Sequence, residues 1–420
     1  MPPSRSDDAA GRGDYNLRMT GRSFAVLFAW LGFASASGAQ ALPAEPLAFA
    51  DGRVTVGGDV SASIGPDDTG FFNYSDYEHS TLRLLRLDLT ASARAGTHFT
   101  LLGELRTENF GRVRPYALYL RIRPWESRQF DIQVGRIPPT FGAFARRTYA
   151  SDNPLIGYPL AYQYLTSLRA DSLPANADEL LKMRGRGWLS NFSIGDLGAH
   201  RGVPLVSAFS WDAGVQVHGE HEWIEGAAAI TTGTLANPLF RDDNAGRQVA
   251  GRVAARPVTG LIVGVSAARG PFVSSNATRA ASGGSHEQDF TQAAWGADAE
   301  YSHGHYLVRL ETVLSEWTLP PIAAPLISAP LRALSTSVEG RYRVAPGVYA
   351  AARVDHLGFS EIAGSAGTDT WDAPVTRVEL GGGYSIQRNL LLKVSVQRNT
   401  RDGGRVPTLT LGAAQVVFWF

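Results

Sequence analysis

Charged side chains recur at every second position along short apolar segments, a spacing that suits the passage of ions and solutes better than covalent chemistry. Glu104, Arg106 and Glu108 alternate with Gly103, Leu105 and Thr107; Arg121 and Arg123 alternate with Leu120 and Ile122; Arg309 and Glu311 alternate with Val308 and Leu310. On an extended chain, alternate residues share a face, so such segments carry fixed charge on one side and hydrocarbon on the other. Read this way, Arg86, Arg106, Arg121, Arg123, Arg252, Arg256, Arg309, Arg341, Arg343, Arg353, Arg377 and Lys393 share the polar faces with Asp88, Glu104, Glu108, Asp131, Asp212, Glu225, Asp298, Glu300, Glu311, Glu339, Asp355 and Glu379. A dry interior would make charge at this density costly, so these faces require water or ionic partners. Other chemistry is poorly provided for. There is no Cys, which removes disulfides, thiolate metal sites and Cys nucleophiles. The nine His are scattered, and no G-x-S-x-G, H-E-x-x-H or phosphate-binding loop occurs, so neither a metal nor a cofactor is expected. With 39 Lys+Arg against 39 Asp+Glu, nothing calls for nucleic acid as a partner.

The elements that must position these charges are strands. About sixteen segments alternate: 54–64, 81–93, 97–108, 114–123, 130–135, 207–218, 222–232, 247–256, 261–269, 293–301, 306–315, 332–344, 348–357, 375–386, 390–399 and 408–420. Their length, near ten residues, is what a tilted strand needs to cross a bilayer. Helical periodicity is confined to part of 136–206, around Ala177 to Met183. Tight links such as Arg94-Ala95-Gly96, Gly219-Glu220-His221 and Ala345-Pro346-Gly347 alternate with mostly long ones, and only 109–113 fits that plan badly. The expected fold is therefore all-β, a transmembrane antiparallel β-barrel of about 16 strands in a bacterial outer membrane, closed so that no strand edge meets lipid. The fifth segment looks short, and the sixteenth shifts phase near Leu411. Tyr116 is expected on the outward face with Leu118, Leu120 and Ile122. Aromatic rims are expected from Trp125, Trp223 and Tyr342 near short turns, and from Trp317 and Trp371 at the long loops. Asp67-Asp68 and Asp242-Asp243 fall in outer loops and read as solvated acidic tips, with Ca²⁺ or lipopolysaccharide cations as the alternative neighbours.

Both ends of the chain fit export. Arg18 and Arg22 precede an apolar stretch, Phe24 to Ala36, and then Ala39-Gln40-Ala41, so residues 1–41 read as an N-terminal extension with a signal peptide. Residues 42–53 form a periplasmic lead, and 54–420 form the barrel. Val416, Phe418 and Phe420 alternate at the C-terminus, and a last strand ending in Phe resembles the membrane-insertion signal read by the outer-membrane assembly machinery.

One link dominates the rest. Residues 136–206 far exceed an ordinary loop. They open on the apolar, turn-rich Ile137-Pro138-Pro139-Thr140-Phe141-Gly142-Ala143-Phe144 and carry Tyr149, Tyr158, Tyr162 and Tyr164. Eight basic residues (Arg136, Arg146, Arg147, Arg169, Lys182, Arg184, Arg186, Arg201) stand against five acidic ones (Asp152, Asp171, Asp178, Glu179, Asp196). The chain resembles a bacterial general porin in architecture, and Gly135 to Gly142 is similar to the strand-into-loop segment of the phosphate-selective porin O/P-like family. That resemblance implies a sixteen-stranded, usually trimeric, anion-passing channel whose third loop folds into the lumen and forms a constriction lined by Arg and Lys. With Lys only at 182 and 393, a lysine cluster is ruled out here. The constriction is expected to set Arg146, Arg147, Tyr149 and Asp152 of the loop against Arg86, Arg121, Arg123, Glu104 and Glu108 of the wall. The function expected is passive diffusion of small hydrophilic or anionic solutes. A barrel hydrolase, with His79 and Asp76 as a rim pair, and a plugged structural or adhesive barrel are the alternatives.

Overall fold

A computed structural model describes residues 45–74, 79–125, 129–208, 211–239, 243–281 and 289–420. The signal-peptide reading falls outside these residues, as does Asp76. Sixteen strands form the wall: β1 (Val54–Ile64), β2 (Leu85–Ala95), β3 (Phe99–Glu108), β4 (Arg114–Ile122), β5 (Phe130–Ile137), β6 (Asp212–His221), β7 (Ile224–Thr231), β8 (Gln248–Val258), β9 (Leu261–Pro271), β10 (Thr291–His303), β11 (Tyr306–Trp317), β12 (Leu331–Ala345), β13 (Val348–Phe359), β14 (Val375–Gln387), β15 (Leu390–Arg401) and β16 (Thr408–Trp419). Each pairs antiparallel with the next, and β16 closes on β1 from Asp59↔Trp419 to Ile64↔Ala414. A three-residue strand, Leu47–Phe49, folds back on the start of β1. The barrel is closed, all strands are antiparallel, and the expected count is met.

The outside is the face a soluble protein could not show. Leu101, Leu105, Leu118, Val253, Val265, Leu310, Leu380 and Val396 are all exposed, and together they make an apolar belt around the wall. Trp125, Trp223 and Tyr342 are exposed near the short turns, as expected, and Tyr306 stacks 4.8 Å from Tyr342. The other rim assignments are corrected. Trp317 and Trp371 are fully buried and pack edge-on at 5.7 Å inside the barrel. Trp317 lies at an inward position of β11, and Trp371 folds in with the loop that carries it.

Three local expectations also change. β6 begins at Asp212 rather than 207, so the long link reaches 211, and β5 runs two residues further than expected, to Ile137. Strand β16 does not shift phase: its register with β15 is unbroken from Leu390↔Phe418 to Thr400↔Thr408. Leu411 points inward because it packs on Leu82 and on Ile156 of the long link. Tyr116 faces in, not out. Pro115 has no amide for the ladder, and the β3–β4 register slips between Glu104↔Ala117 and Leu105↔Pro115. The bulge turns Tyr116 inward, where the Arg106 guanidinium lies 3.6 Å from its ring centroid.

The C-terminus completes the seam. The Phe420 amide donates to the Gly58 carbonyl at 3.0 Å, and the Gly58 amide donates to the Phe420 carbonyl at 3.0 Å. The Phe420 ring stacks 6.0 Å from Phe418 and lies so close over Gly58 that a Cβ there would sit 2.8 Å from it. Deleting Phe420 is expected to cut the yield of folded, heat-modifiable barrel on SDS gels severalfold. An unchanged yield would show that β16 closes without it.

Candidate channel constriction

The long link leaves β5 at Ile137, where Pro138 and Pro139 cannot continue the ladder. Gly142 then turns with φ +75°, and a Cβ there would lie 2.3 Å from the Tyr162 hydroxyl. The chain beyond it is held to the inner wall by hydrogen bonds on several sides. On β9 and β11, the Gly142 amide donates to Ser266 Oγ (3.0 Å), the Ala143 amide to Glu311 (2.8 Å), and the Tyr162 hydroxyl to Glu311 (2.6 Å). On β14, the Gly157 amide donates to Glu379 (3.1 Å), and Arg377 donates to the Tyr158 carbonyl (2.8 Å). Lys393 of β15 donates to the Ala150 and Asn153 carbonyls at 2.6 and 2.9 Å. Arg86 of β2 donates to the Tyr158 hydroxyl at 2.6 Å. A segment bonded to β2, β9, β11, β14 and β15 at once lies across the lumen. Around these bonds, Phe141, Phe144, Leu160, Tyr162 and Tyr164 build an apolar core, with Phe144 4.8 Å from Tyr162 and 5.3 Å from Tyr158.

The residues singled out from the sequence fall into three groups. Tyr149 donates to Glu104, which also accepts from Arg106 (3.2 Å); Arg106 reaches on to Asp88 (2.5 Å), and Arg86 pairs with Glu108 (2.8 Å). Arg86 and Glu104 are buried beneath the inserted chain. On the opposite side, Arg147 meets Glu300 at 3.3 Å, and Arg309 bridges Glu300 (2.8 Å) and Glu339 (3.1 Å). Burial pushes the Asp152 carboxyl above the usual carboxylate range, against the nearby charges of Arg147, Arg309 and Lys393. Arg146 ends a 3₁₀ turn, Phe144–Arg146, and its side chain lies outside the described residues. Arg121 and Arg123 stand apart from both groups, on the wall of a cavity below the inserted chain.

Two cavities flank that chain. The outer one, about 480 Å³, is lined by Arg136, Tyr162, Leu165, Trp188 and Ala208 among others. The inner one, about 490 Å³, is lined by Arg121, Arg123, Asp131, Pro138, Tyr149, Trp211 and His218 among others. Farther along, the link is capped and pinned. Asn176 caps the helix Ala177–Lys182 by accepting from the Glu179 amide (3.0 Å). Asp372 is fully buried and accepts from the Ser167, Gly185 and Ala373 amides, each at 2.7 Å. Sequence reasoning passed over Asp372 because it lies in a loop without periodicity. Asp372→Ala strands three buried donors, each costing about 1–3 kcal/mol. Protease cleavage within 167–185 is expected to become faster, and unchanged cleavage would deny the pin. Among the described residues, no group of three or more His, Asp or Glu is placed to hold a metal ion.

No protein-family model matches the chain, and no curated protein matches its sequence. Its shape does match solved structures. The anion-selective porin from Comamonas acidovorans superposes with a TM-score of 0.53 at 10% identity, over 87% of this chain and 99% of that one. OmpT, an outer-membrane protein of Vibrio cholerae, gives 0.51 at 14% identity, over 90% of this chain and 100% of that one. The chain folds as a porin-like outer-membrane barrel. The outer-membrane channel DcaP of Acinetobacter baumannii agrees, with a TM-score of 0.50 at 12% identity, over 89% of this chain and 99% of that one. At such identities the likeness is one of fold. A closed antiparallel barrel with an apolar belt and an aromatic rim at its short turns belongs in the bacterial outer membrane.

Proposed function

We propose that this barrel is a passive diffusion channel for small hydrophilic solutes, with a preference for anions. The observation that carries the reading is a loop bonded across the lumen with a cavity on either side, set in a wall of fixed charge. Selection in such a channel rests on width and field, with no cofactor and no covalent step. The basic excess of 136–206 favours anions. Arg146, Arg147, Tyr149 and Asp152 set the narrow level against Arg86, Glu104 and Glu108, and Arg121 and Arg123 act on the wall below it. Residues 1–41 direct export, and 42–53 lead into the wall. Val416, Phe418 and Phe420 are read by the assembly machinery, three copies assemble, and the outer loops meet lipopolysaccharide. The test is the reversal potential of the refolded protein under a KCl gradient. Replacing Arg146 and Arg147 together by Ala is expected to shift it toward cation preference, and an unshifted potential would remove those residues from the selectivity set.

A second reading is a plugged barrel. It is favoured by the burial of Phe141, Phe144, Tyr162 and Trp317, which fill much of the lumen with apolar side chains. Proteoliposomes containing the protein would then exclude every solute, down to the smallest sugars.

A further inference from the structure

The geometry points to an eccentric solute path along the β4–β6 wall, with the Trp211 ring as its barrier and Arg121 and Arg123 reading solute charge below it. This rests on the channel reading and specifies where the channel runs. On β9, β11, β14 and β15 the wall's polar groups are taken up by the inserted chain, through Ser266, Glu311, Glu379 and Lys393. Along β4 to β6 the link makes one such bond among the described residues, from Thr140 Oγ1 to Gln216 (2.9 Å), and the other polar groups turn to one another. Gln133 donates to Asp131 at 2.7 Å, His218 and Arg121 approach Asp131 at 3.7 and 3.9 Å, and Arg121 donates to the Tyr119 hydroxyl at 3.3 Å. These groups border the inner cavity, which separates them from Thr148 and Tyr149 of the loop.

The same sector is where the two cavities come nearest in the chain. Arg136 lines the outer cavity, while Pro138, two residues on, lines the inner one. Ala208 lines the outer cavity and Trp211 the inner one. The Arg136 Nε donates to the Trp211 carbonyl at 3.1 Å, which ties the end of β5 to Trp211. The Trp211 ring is only half-buried and leans on Tyr116 and Tyr119, with centroids 5.6 and 6.2 Å away. An indole held by packing, against these rings and the apolar cluster of Ala117, Ile137 and Ala229, can swing aside at less cost than the hydrogen-bonded segments elsewhere. Beneath it, the inner-cavity wall presents the guanidinium of Arg123, whose Nε has no hydrogen-bond partner, and that of Arg121. An anion passing Trp211 would meet these two first.

The test uses the refolded full barrel in planar bilayers. Trp211→Ala is expected to raise single-channel conductance about twofold or more, and Arg123→Ala to reduce anion preference. The absence of Cys makes a second measurement clean. A charged thiol reagent is expected to block current through His218→Cys, half-buried on the inner cavity, and to leave Ser395→Cys, buried beneath the loop, conducting. Unchanged conductance in Trp211→Ala, or block at Ser395 with none at His218, would overturn the path. A wild-type barrel that conducts nothing would instead remove the channel reading beneath it.

Discussion

Replacing Glu311 by Ala should unseat the inserted loop and raise both conductance and its fluctuations. Glu311 sits nearly buried at the middle of β11 and accepts from the Ala143 amide (2.8 Å), the Phe144 amide (3.3 Å) and the Tyr162 hydroxyl (2.6 Å). These donors come from both arms of the chain that crosses the lumen, so one carboxylate fixes its fold and its seat together. Truncation leaves two amides and a hydroxyl buried without acceptors, at about 1–3 kcal/mol for each. The apolar packing of Phe144 against Tyr162 remains and keeps the loop inside, so the expected result is a looser loop in an intact barrel. Planar-bilayer recordings check this: noisier and larger steps than the wild type are expected, with a heat-modifiable barrel still present on gels. Steps indistinguishable from the wild type would show that Glu311 does not hold the loop.

Replacing Arg353 by Met should be the most destabilising single change in the wall. Its guanidinium is fully buried and reaches Asp355 (3.0 Å), Glu379 (2.6 Å) and Glu339 (3.4 Å). Methionine keeps the bulk and removes the charge, leaving carboxylates that no longer share a cation. Breaking a buried pair in this way costs about 3–5 kcal/mol. Glu379 also holds the Gly157 amide, so the loop is affected along with the wall. The urea midpoint of the refolded barrel is expected to fall sharply, whereas Arg388→Ala, which breaks an exposed pair with Glu45, should leave it unchanged. Equal midpoints for the two variants would contradict the buried cluster.

Much of this was legible because a barrel wall writes its two faces into the sequence at period two. The alternation around Arg309 and Glu311, or around Glu104 and Arg106, can be read without any knowledge of neighbours. The misread positions are those where a neighbour decides. Tyr116 turned inward because Pro115 lacks an amide and bulges the ladder, and periodicity carries no sign of that. Leu411 looked like a phase error only because its inward partner, Ile156, comes from a distant segment. Trp317 and Trp371 have the composition of rim residues, yet the packed interior claims them. The inserted loop was legible as a segment and not as a set of pairings: the length, the prolines and the arginines of 136–206 mark it out. That Tyr149 finds Glu104 while Arg147 finds Glu300 depends on how the segment folds back through Gly142.

The most direct test of a channel in this barrel is single-channel recording of the refolded wild-type protein in a planar bilayer under a KCl gradient. A channel with a partly filled lumen should give discrete, small steps and a reversal potential on the anion side. A correctly folded barrel that stays electrically silent would contradict it and leave a sealed lumen in its place.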